Sequence, residues 1–251
     1  MKTLPYCYLL LFALFSAYTA RAQVVASTDS SVQAALAIAR QPYTQATQAE
    51  ARLLSGTEYV NYSRPNSLGH QFFQSNIAQE STIFYDGQQF VGVPLLYDLK
   101  LGQVVVPDLA RNTSRRLLAE KVASFELGGH QFVRLVAADT TAKSAAPTGF
   151  YDVLLVGKAG GASLLARRTK RDVEEPVGGR LVFTYEETDQ LLVRKNDAFL
   201  PVNNLKSILE ALPEQRGALQ KYARSNHLKF KDTQREDAAT ALLRYYNTLV
   251  P

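Results

Sequence analysis

The chain has 251 residues, of which 46% are hydrophobic and 20% charged, with a formal net charge of +5 and one cysteine, Cys7. A chain of this length can bury a sizeable core as one domain, and so mild a basic charge does not predict nucleic-acid binding. Because Cys7 lies in the first apolar segment, removal of that segment leaves no disulfide, thiolate nucleophile or thiolate metal site.

Residues 1–22 have the features of a signal peptide. Lys2 precedes the apolar run Tyr6–Ala17, and Ala20–Arg21–Ala22 fits the small-x-small cleavage rule. We predict cleavage after Ala22 and a protein that is exported, to the periplasm or out of the cell. No later apolar run approaches about 18 residues, so no transmembrane segment is expected in the mature chain. An uncleaved membrane anchor is the alternative.

Residues 23–203 are expected to form a helical strap followed by an antiparallel β domain. Asp29–Arg40 is predicted to be a short N-terminal helix that ends before Pro42. The aromatic segment Gly56–Phe73 comes next. It is either a loop facing a ligand or a set of rings that closes one end of the core, and we favour the core.

The segment Val93–Val136 and its flanks predict antiparallel strands joined by tight turns. Asp86–Gly87 is the strongest hairpin signal, and Leu127–His130 contains paired glycines of the same kind. Alternation across the first strand places one set of side chains inward and puts Asp98 on the wet side. That inward set comprises Leu95, Tyr97, Leu99 and Leu101.

Two further strands, Phe150–Val156 and Ser163–Arg171, are predicted around the turn Gly157–Gly161. The second strand ends in a basic run in which Arg167 and Arg171 face one way and the intervening Arg168 and Lys170 the other. The run is either a charged edge strand or an anion-facing site built on Arg167 and Arg171, and we favour the edge strand because it explains both faces.

Alternation resumes in Arg180–Glu187, with Leu181, Phe183 and Tyr185 predicted to point inward. A last hairpin is expected at Asn196–Asp197. Residues 204–251 then change to a helical period and predict three helices, the first capped by Asn204 and the last by a Thr233–Glu236 capping box.

The predicted fold class is α+β. It consists of an antiparallel, curled β-meander sheet or half-barrel, with a C-terminal three-helix segment packed on the same domain and a short N-terminal helix.

A resemblance accompanies these patterns. The succession LLSGTEYVNY, GHQFF, YDGQQF, VPLLYDL, FELGGHQFVRL, GFYDVLL, LLARRTKR, FLPVNNLKSILEALPEQRGALQKYARSNHLKF and LLRYYNTL resembles an exported, mostly uncharacterised group of proteins common in Bacteroidota. The similarity covers nearly the whole mature chain. It implies export and a shared fold, but it brings no reaction, cofactor or site residues.

The sequence contains no known catalytic signature, and its histidines, His70, His130 and His227, lack metal-ligand spacing. We therefore expect an exported protein that acts by binding and needs no cofactor. A spatial cluster of Asp98, His130 and Arg134 would instead indicate an enzyme.

Two hypotheses for binding follow. The protein docks an envelope partner through a sheet edge or the C-terminal helices, or it carries an apolar or amphipathic, lipid-like ligand inside the curled sheet. A cavity would favour the carrier, and solid packing there would favour docking. The residues expected to line that cavity are Tyr97, Phe125, Phe132, Phe150 and Phe183.

Overall fold

The computed structural model describes residues 52–64, 67–108, 110–137 and 146–250, which belong to a compact unit spanning Glu50–Pro251. The predicted signal peptide and the predicted helix Asp29–Arg40 lie outside the described residues.

The strands of the described residues form one sheet with the order β1-β6-β5-β4-β3-β7-β8-β9-β10-β11-β12, and β2 pairs with β11. Every neighbouring pair along this order is antiparallel, whereas β2 runs parallel to β11. The strands are β1 Thr57–Glu58, β2 Ser67–Leu68, β3 Gln79–Tyr85, β4 Gln88–Asp98, β5 Gln103–Asp108, β6 Thr113–Arg116, β7 Val122–Leu127, β8 His130–Leu135, β9 Gly149–Leu155, β10 Ala162–Val177, β11 Arg180–Lys195 and β12 Ala198–Val202.

The predicted hairpin turns are confirmed. Asp86 and Gly87, with φ angles of 50° and 78°, join β3 to β4. The left-handed region is strained for most residues but open to glycine and tolerated by asparagine and aspartate. Gly128 and Gly129 join β7 to β8 in the same way, and Asn196 at φ 51° begins the turn from β11 to β12.

The sheet curls without closing. Its pairing register shifts inside β3 and again between β9 and β10, and such bulges bend a strand and increase its twist. As a result β4 and β10, which are separated by four strands in the sheet order, approach each other at one end. There the backbone N–H of Lys170 donates to the carbonyl oxygen of Leu99 at 3.4 Å.

The longest hairpin joins β10 and β11, each of 16 residues. The two strands pair from Ala162 opposite Lys195 out to Val177 opposite Arg180. The neighbouring strand β9 pairs only with Leu164–Ala166, so the hairpin extends well past it. We call its distal part, Arg171–Glu186, the arm.

Both strands are longer than the predicted segments Ser163–Arg171 and Arg180–Glu187. Their union depends on the turn at Gly178 and Gly179, whose φ angles are 59° and 77°. Along the distal arm, β2 pairs with Phe183 and Thr184.

Three α-helices follow the sheet: α1 Leu205–Ala211, α2 Arg216–Ser225 and α3 Arg235–Leu249. Asn204 caps α1 as predicted, because its side-chain oxygen accepts a hydrogen bond from the backbone N–H of Ser207. The predicted Thr233–Glu236 capping box is wrong: a 3-10 turn, Asp232–Gln234, precedes α3, whose N-cap makes no side-chain hydrogen bond.

The helices pack on one face of the sheet. Their apolar residues, such as Ile208, Leu219 and Leu242, share a buried cluster with Leu164 and Val193 of the long hairpin. The α+β class with a mostly antiparallel sheet is therefore confirmed. Among the helices of the described ranges, none combines the length and the apolar character that crossing a membrane requires.

Candidate binding site

Four of the five predicted ligand-facing aromatic residues meet inside the curled sheet. The rings of Phe125 and Phe132 stack at a centroid separation of 4.8 Å, and Tyr97 meets Phe125 at 5.3 Å and Phe150 at 5.8 Å. Each of the four residues is between 0% and 3% exposed. These separations are those of aromatic rings in direct contact, so the rings fill the interior of the curl.

Phe183 does not join them. It lies on the arm, half-buried, and the guanidinium carbon of Arg64 stands 4.0 Å from its ring centroid. Arg64 also pairs with Glu174 across 3.4 Å. The inward set predicted for this strand is thus only partly buried, and Leu181 beside it is 51% exposed.

The prediction that Asp98 lies on the solvent-facing side of β4 is wrong. The residue is 0% exposed and accepts hydrogen bonds from the hydroxyls of Tyr59 and Tyr62, both at 2.8 Å. Its other oxygen accepts from the backbone N–H groups of Lys100 and Leu101. Burial, together with the hydrogen bond to Asp98, raises the pKa of Tyr62 above its ordinary value.

The carboxylate partner of His130 is Asp152, not Asp98. Its Nδ1 donates to Asp152 Oδ2 at 2.8 Å, and the same oxygen accepts from Arg168 Nε at 2.7 Å. Among the described residues, the side chain of Asp98 accepts hydrogen bonds only from the two tyrosine hydroxyls and the two backbone N–H groups named above. Within the part of the chain that the structure describes, no hydrogen bond or ion pair joins Asp98, His130 and Arg134 into the cluster that would indicate an enzyme.

The buried ionic network around Arg168 is a feature that the sequence interpretation missed. Arg168 is 7% exposed, and besides Asp152 it bonds Asp189 at 2.9 Å and Glu236 of α3 at 3.1 Å. Burial opposes its charge, yet Glu236 and the other carboxylates hold the pKa of Arg168 above its ordinary value. The network ties β9, β10, β11 and α3 together.

A signal for this network was present in the alternation of β10. Arg168 shares its face with Leu164 and Ala166, both 0% exposed and both apolar. A cation that continues a buried apolar face needs carboxylates opposite it. Those carboxylates come from distant segments, so the pattern marks the face without naming the partners.

The two residues predicted to face an anion lie in different surroundings. Arg171 is on the arm and pairs with Glu186 across 2.5 Å, with side chains 69% and 52% exposed. Arg167 is half-buried and lines a cavity of about 250 Å³ next to Tyr97 and Phe150. The pair does not form one site.

The arm and the strand β2 beside it expose large apolar side chains. Leu68, on the strand paired with β11, is 61% exposed, and Val177 and Leu181 near the turn are 52% and 51% exposed. Beyond the pairing of β2, the described residues place no further strand beside this part of the hairpin. The arm is a two-stranded projection with an apolar end.

No protein-family model matches the chain, and no match was found among curated proteins or among solved structures. Within the described ranges, no three His, Cys, Asp or Glu side chains come together in a way that could hold a metal ion.

Proposed function

We propose that this is an exported protein of the cell envelope that acts without catalysis, by docking a protein partner through its arm. The observation that carries the proposal is the long hairpin, whose strands continue past their neighbours and end in exposed apolar residues. Exposed apolar surface on a projecting element is typical of an interaction site. Export rests on the signal-peptide features of residues 1–22.

The filled interior argues against the alternative of a lipid carrier. A lipid carrier needs a large unoccupied volume between the rings of Tyr97, Phe125, Phe132 and Phe150, and these rings are instead in mutual contact. The cavity that Tyr97 and Phe150 also line has only about 250 Å³, below the ~300–1,000 Å³ of pockets for drug-sized ligands. The inward aromatic pattern is explained by core packing alone.

The charge of the arm indicates the kind of partner surface. Arg171–Glu186 contains two arginines and four carboxylates, a net charge of −2 in a chain whose overall charge is +5. Glu175 is exposed and makes no ion pair within the part of the chain that the structure describes. A protein surface with an apolar centre and basic residues around it would complement this arm.

Site-specific photo-crosslinking in the native envelope tests the proposal. A benzophenone amino acid at Leu181 or Leu68 is expected to give one predominant adduct with another envelope protein. The same amino acid at Val91, which is 76% exposed on β4, is the matched control and is expected to give no such adduct. Binding of the purified partner is then expected to weaken about tenfold or more on Leu181→Asp.

Three results would overturn docking by the arm. The first is an identical set of adducts from Val91 and from the arm. The second is crosslinking only to further copies of this chain, which would make the arm a self-association surface. The third is a partner whose affinity does not change in the Leu181→Asp variant.

A further inference from the structure

A second site lies away from the exposed end of the arm, in the cavity of about 250 Å³ that Arg167 lines. This volume is somewhat below the ~300–1,000 Å³ of pockets for drug-sized ligands, which suits a smaller molecule. Its walls combine basic and apolar side chains from β4, from the turn that follows β4, and from β8, β9 and β10. They include Tyr97, Leu99, Lys100, Arg134, Phe150, Arg167 and Arg168.

Two of the four cations in this wall are already neutralised. Lys100 pairs with Asp172 across 2.8 Å, and Arg168 is surrounded by Asp152, Asp189 and Glu236. Arg134 and Arg167 make no ion pair with any of the described residues, although both are half-buried. The cavity therefore carries positive charge that its described surroundings do not balance.

Apart from Thr148 and Thr169, the other side chains of the wall are apolar. Tyr97, Leu99 and Phe150 line the cavity while each is at most 3% exposed, and Leu101, which also lines it, is 48% exposed. Gly149 leaves space next to Arg167, because the nearest atom to a Cβ built on Gly149 would be Arg167 Nε, 3.9 Å away. A guanidinium group near apolar surface binds oxyanions more strongly than one in open water.

We propose that this cavity binds a small organic anion, with its carboxylate or phosphate group on Arg134 and Arg167 and its apolar body against Leu101, which lines the cavity and is 48% exposed. Planar guanidinium groups recognise both oxyanions through paired N–H donors. This site is independent of the docking surface, because the proposal for the arm depends on Leu68, Val177 and Leu181.

Titration with simple probes tests the proposal. Benzoate and phenyl phosphate each carry one oxyanion and one ring, and benzamide is a neutral compound of similar shape. NMR spectra of the arginine Nε–H groups are expected to show saturable shifts for Arg134 and Arg167 with benzoate, phenyl phosphate or both, and none with benzamide. The relative affinities of the two anions identify which oxyanion the site prefers.

Single substitutions test the residues. Arg167→Gln and Arg134→Gln are each expected to weaken binding of the preferred anion about tenfold or more, since each removes a charge-assisted contact. Arg171→Gln is the matched control: it makes the same change on the same strand, at an exposed residue paired with Glu186, and is expected to leave the affinity unchanged. Thermal unfolding of each variant verifies that it is folded.

The proposal is overturned by any of three outcomes with folded protein. One is that neither anion shows saturable binding up to about 10 mM, which would mean that the dissociation constant is above the millimolar range. Another is equal binding of benzamide. The last is a loss of affinity in Arg171→Gln as large as that in Arg167→Gln.

Discussion

The proximal part of the long hairpin and its distal part, the arm, are built from the same two strands but differ in what covers them. On the proximal part of the long hairpin, Leu164, Leu191 and Val193 are 0–1% exposed because α1–α3 pack over them. On the distal part of the same hairpin, Val177 and Leu181 are about half exposed. On β11 the face that carries Leu191 and Val193 also carries Leu181 and Phe183 farther out, so apolar side chains on that face are buried only where a second layer covers them.

This difference separates stability from binding. A two-stranded hairpin without a packed face is marginally stable by itself. The aromatic interior and the helix-covered part of the hairpin, in contrast, are packed and can supply most of the free energy of folding. Changes in the interior should therefore alter unfolding, and changes on the arm should alter only association.

The largest effect is expected in the aromatic interior. Phe132→Ala removes a ring that is 0% exposed and touches Tyr97, Phe73 and Phe125. We expect the free energy of unfolding to fall by about 3–5 kcal/mol, measured by chemical denaturation. A loss below about 1 kcal/mol would mean that the interior can accommodate the missing ring, and would reopen the carrier hypothesis.

A similar loss is expected at the junction of sheet and helix. Arg168→Ala leaves the buried carboxylate of Asp152 and the partly buried carboxylates of Asp189 and Glu236 without their common cation, and we expect about 3 kcal/mol of destabilisation. Arg171→Ala, in the exposed pair on the arm, is the matched comparison and should cost less than about 1 kcal/mol. Equal effects of the two changes would contradict the structural role of Arg168.

The pH dependence tests how the C-terminal helices are held on the sheet. Glu214 bonds Lys195 of β11 and Tyr246 of α3. Burial tends to raise the pKa of Glu214, but these hydrogen bonds outweigh it and hold the pKa below its ordinary value of 4.5. A carboxylate with a depressed pKa stabilises the fold above the unfolded-state pKa and loses that contribution as the pH falls through the folded-state pKa.

Glu214→Gln is therefore expected to cost about 0.5–1 kcal/mol at pH 7, because the pair is partly exposed and screened. The difference from the native chain should shrink as the pH is lowered below about 4.5. Urea titrations at several pH values measure it. Glu210→Gln, in an exposed pair with Lys206 at 3.9 Å, is the control and should show a smaller difference at pH 7. A constant difference from pH 7 to pH 3 would contradict this account of Glu214.

The smallest effect on stability is expected at the end of the arm. Leu181→Ser changes a side chain that is already 51% exposed, so its effect on unfolding should stay within about 0.5 kcal/mol. Its effect on association with the partner should be larger than its effect on unfolding, in the same direction as proposed above for Leu181→Asp. Destabilisation beyond about 1 kcal/mol, measured by the same denaturation, would show that the arm is part of the core.

Much of the sheet could be predicted because its signals are local. The turns at Asp86–Gly87 and Gly128–Gly129 each need backbone angles that few residue types adopt, and the sequence places those types there. The alternation likewise identified Leu95, Tyr97 and Leu99 as buried, but the prediction was wrong for Leu101, which is 48% exposed because the strand ends at Asp98. Such features depend on neighbours within a few residues.

The rest depends on pairings between distant segments. Asp98 looks like a solvent-facing strand residue until Tyr59 and Tyr62 cover it. Glu236 fits a capping box but instead bonds Arg168, 68 residues earlier in the chain. For the candidate site, alternation could place Arg167 and Arg171 on one face, yet it could not separate a cavity wall from an exposed arm, because that depends on where neighbouring strands end.

Amide hydrogen exchange tests the division between interior and arm most directly. In the isolated protein, amides of β8 and of the proximal part of β10 should exchange only through global unfolding, and amides of Arg171–Glu186 should exchange far faster through local opening. Addition of the partner that photo-crosslinking identifies should slow amide exchange along the arm and leave amide exchange in β8 unchanged. Arm amides as slow as those of β8 in the isolated protein, or slowing by the partner only outside the arm, would contradict the account.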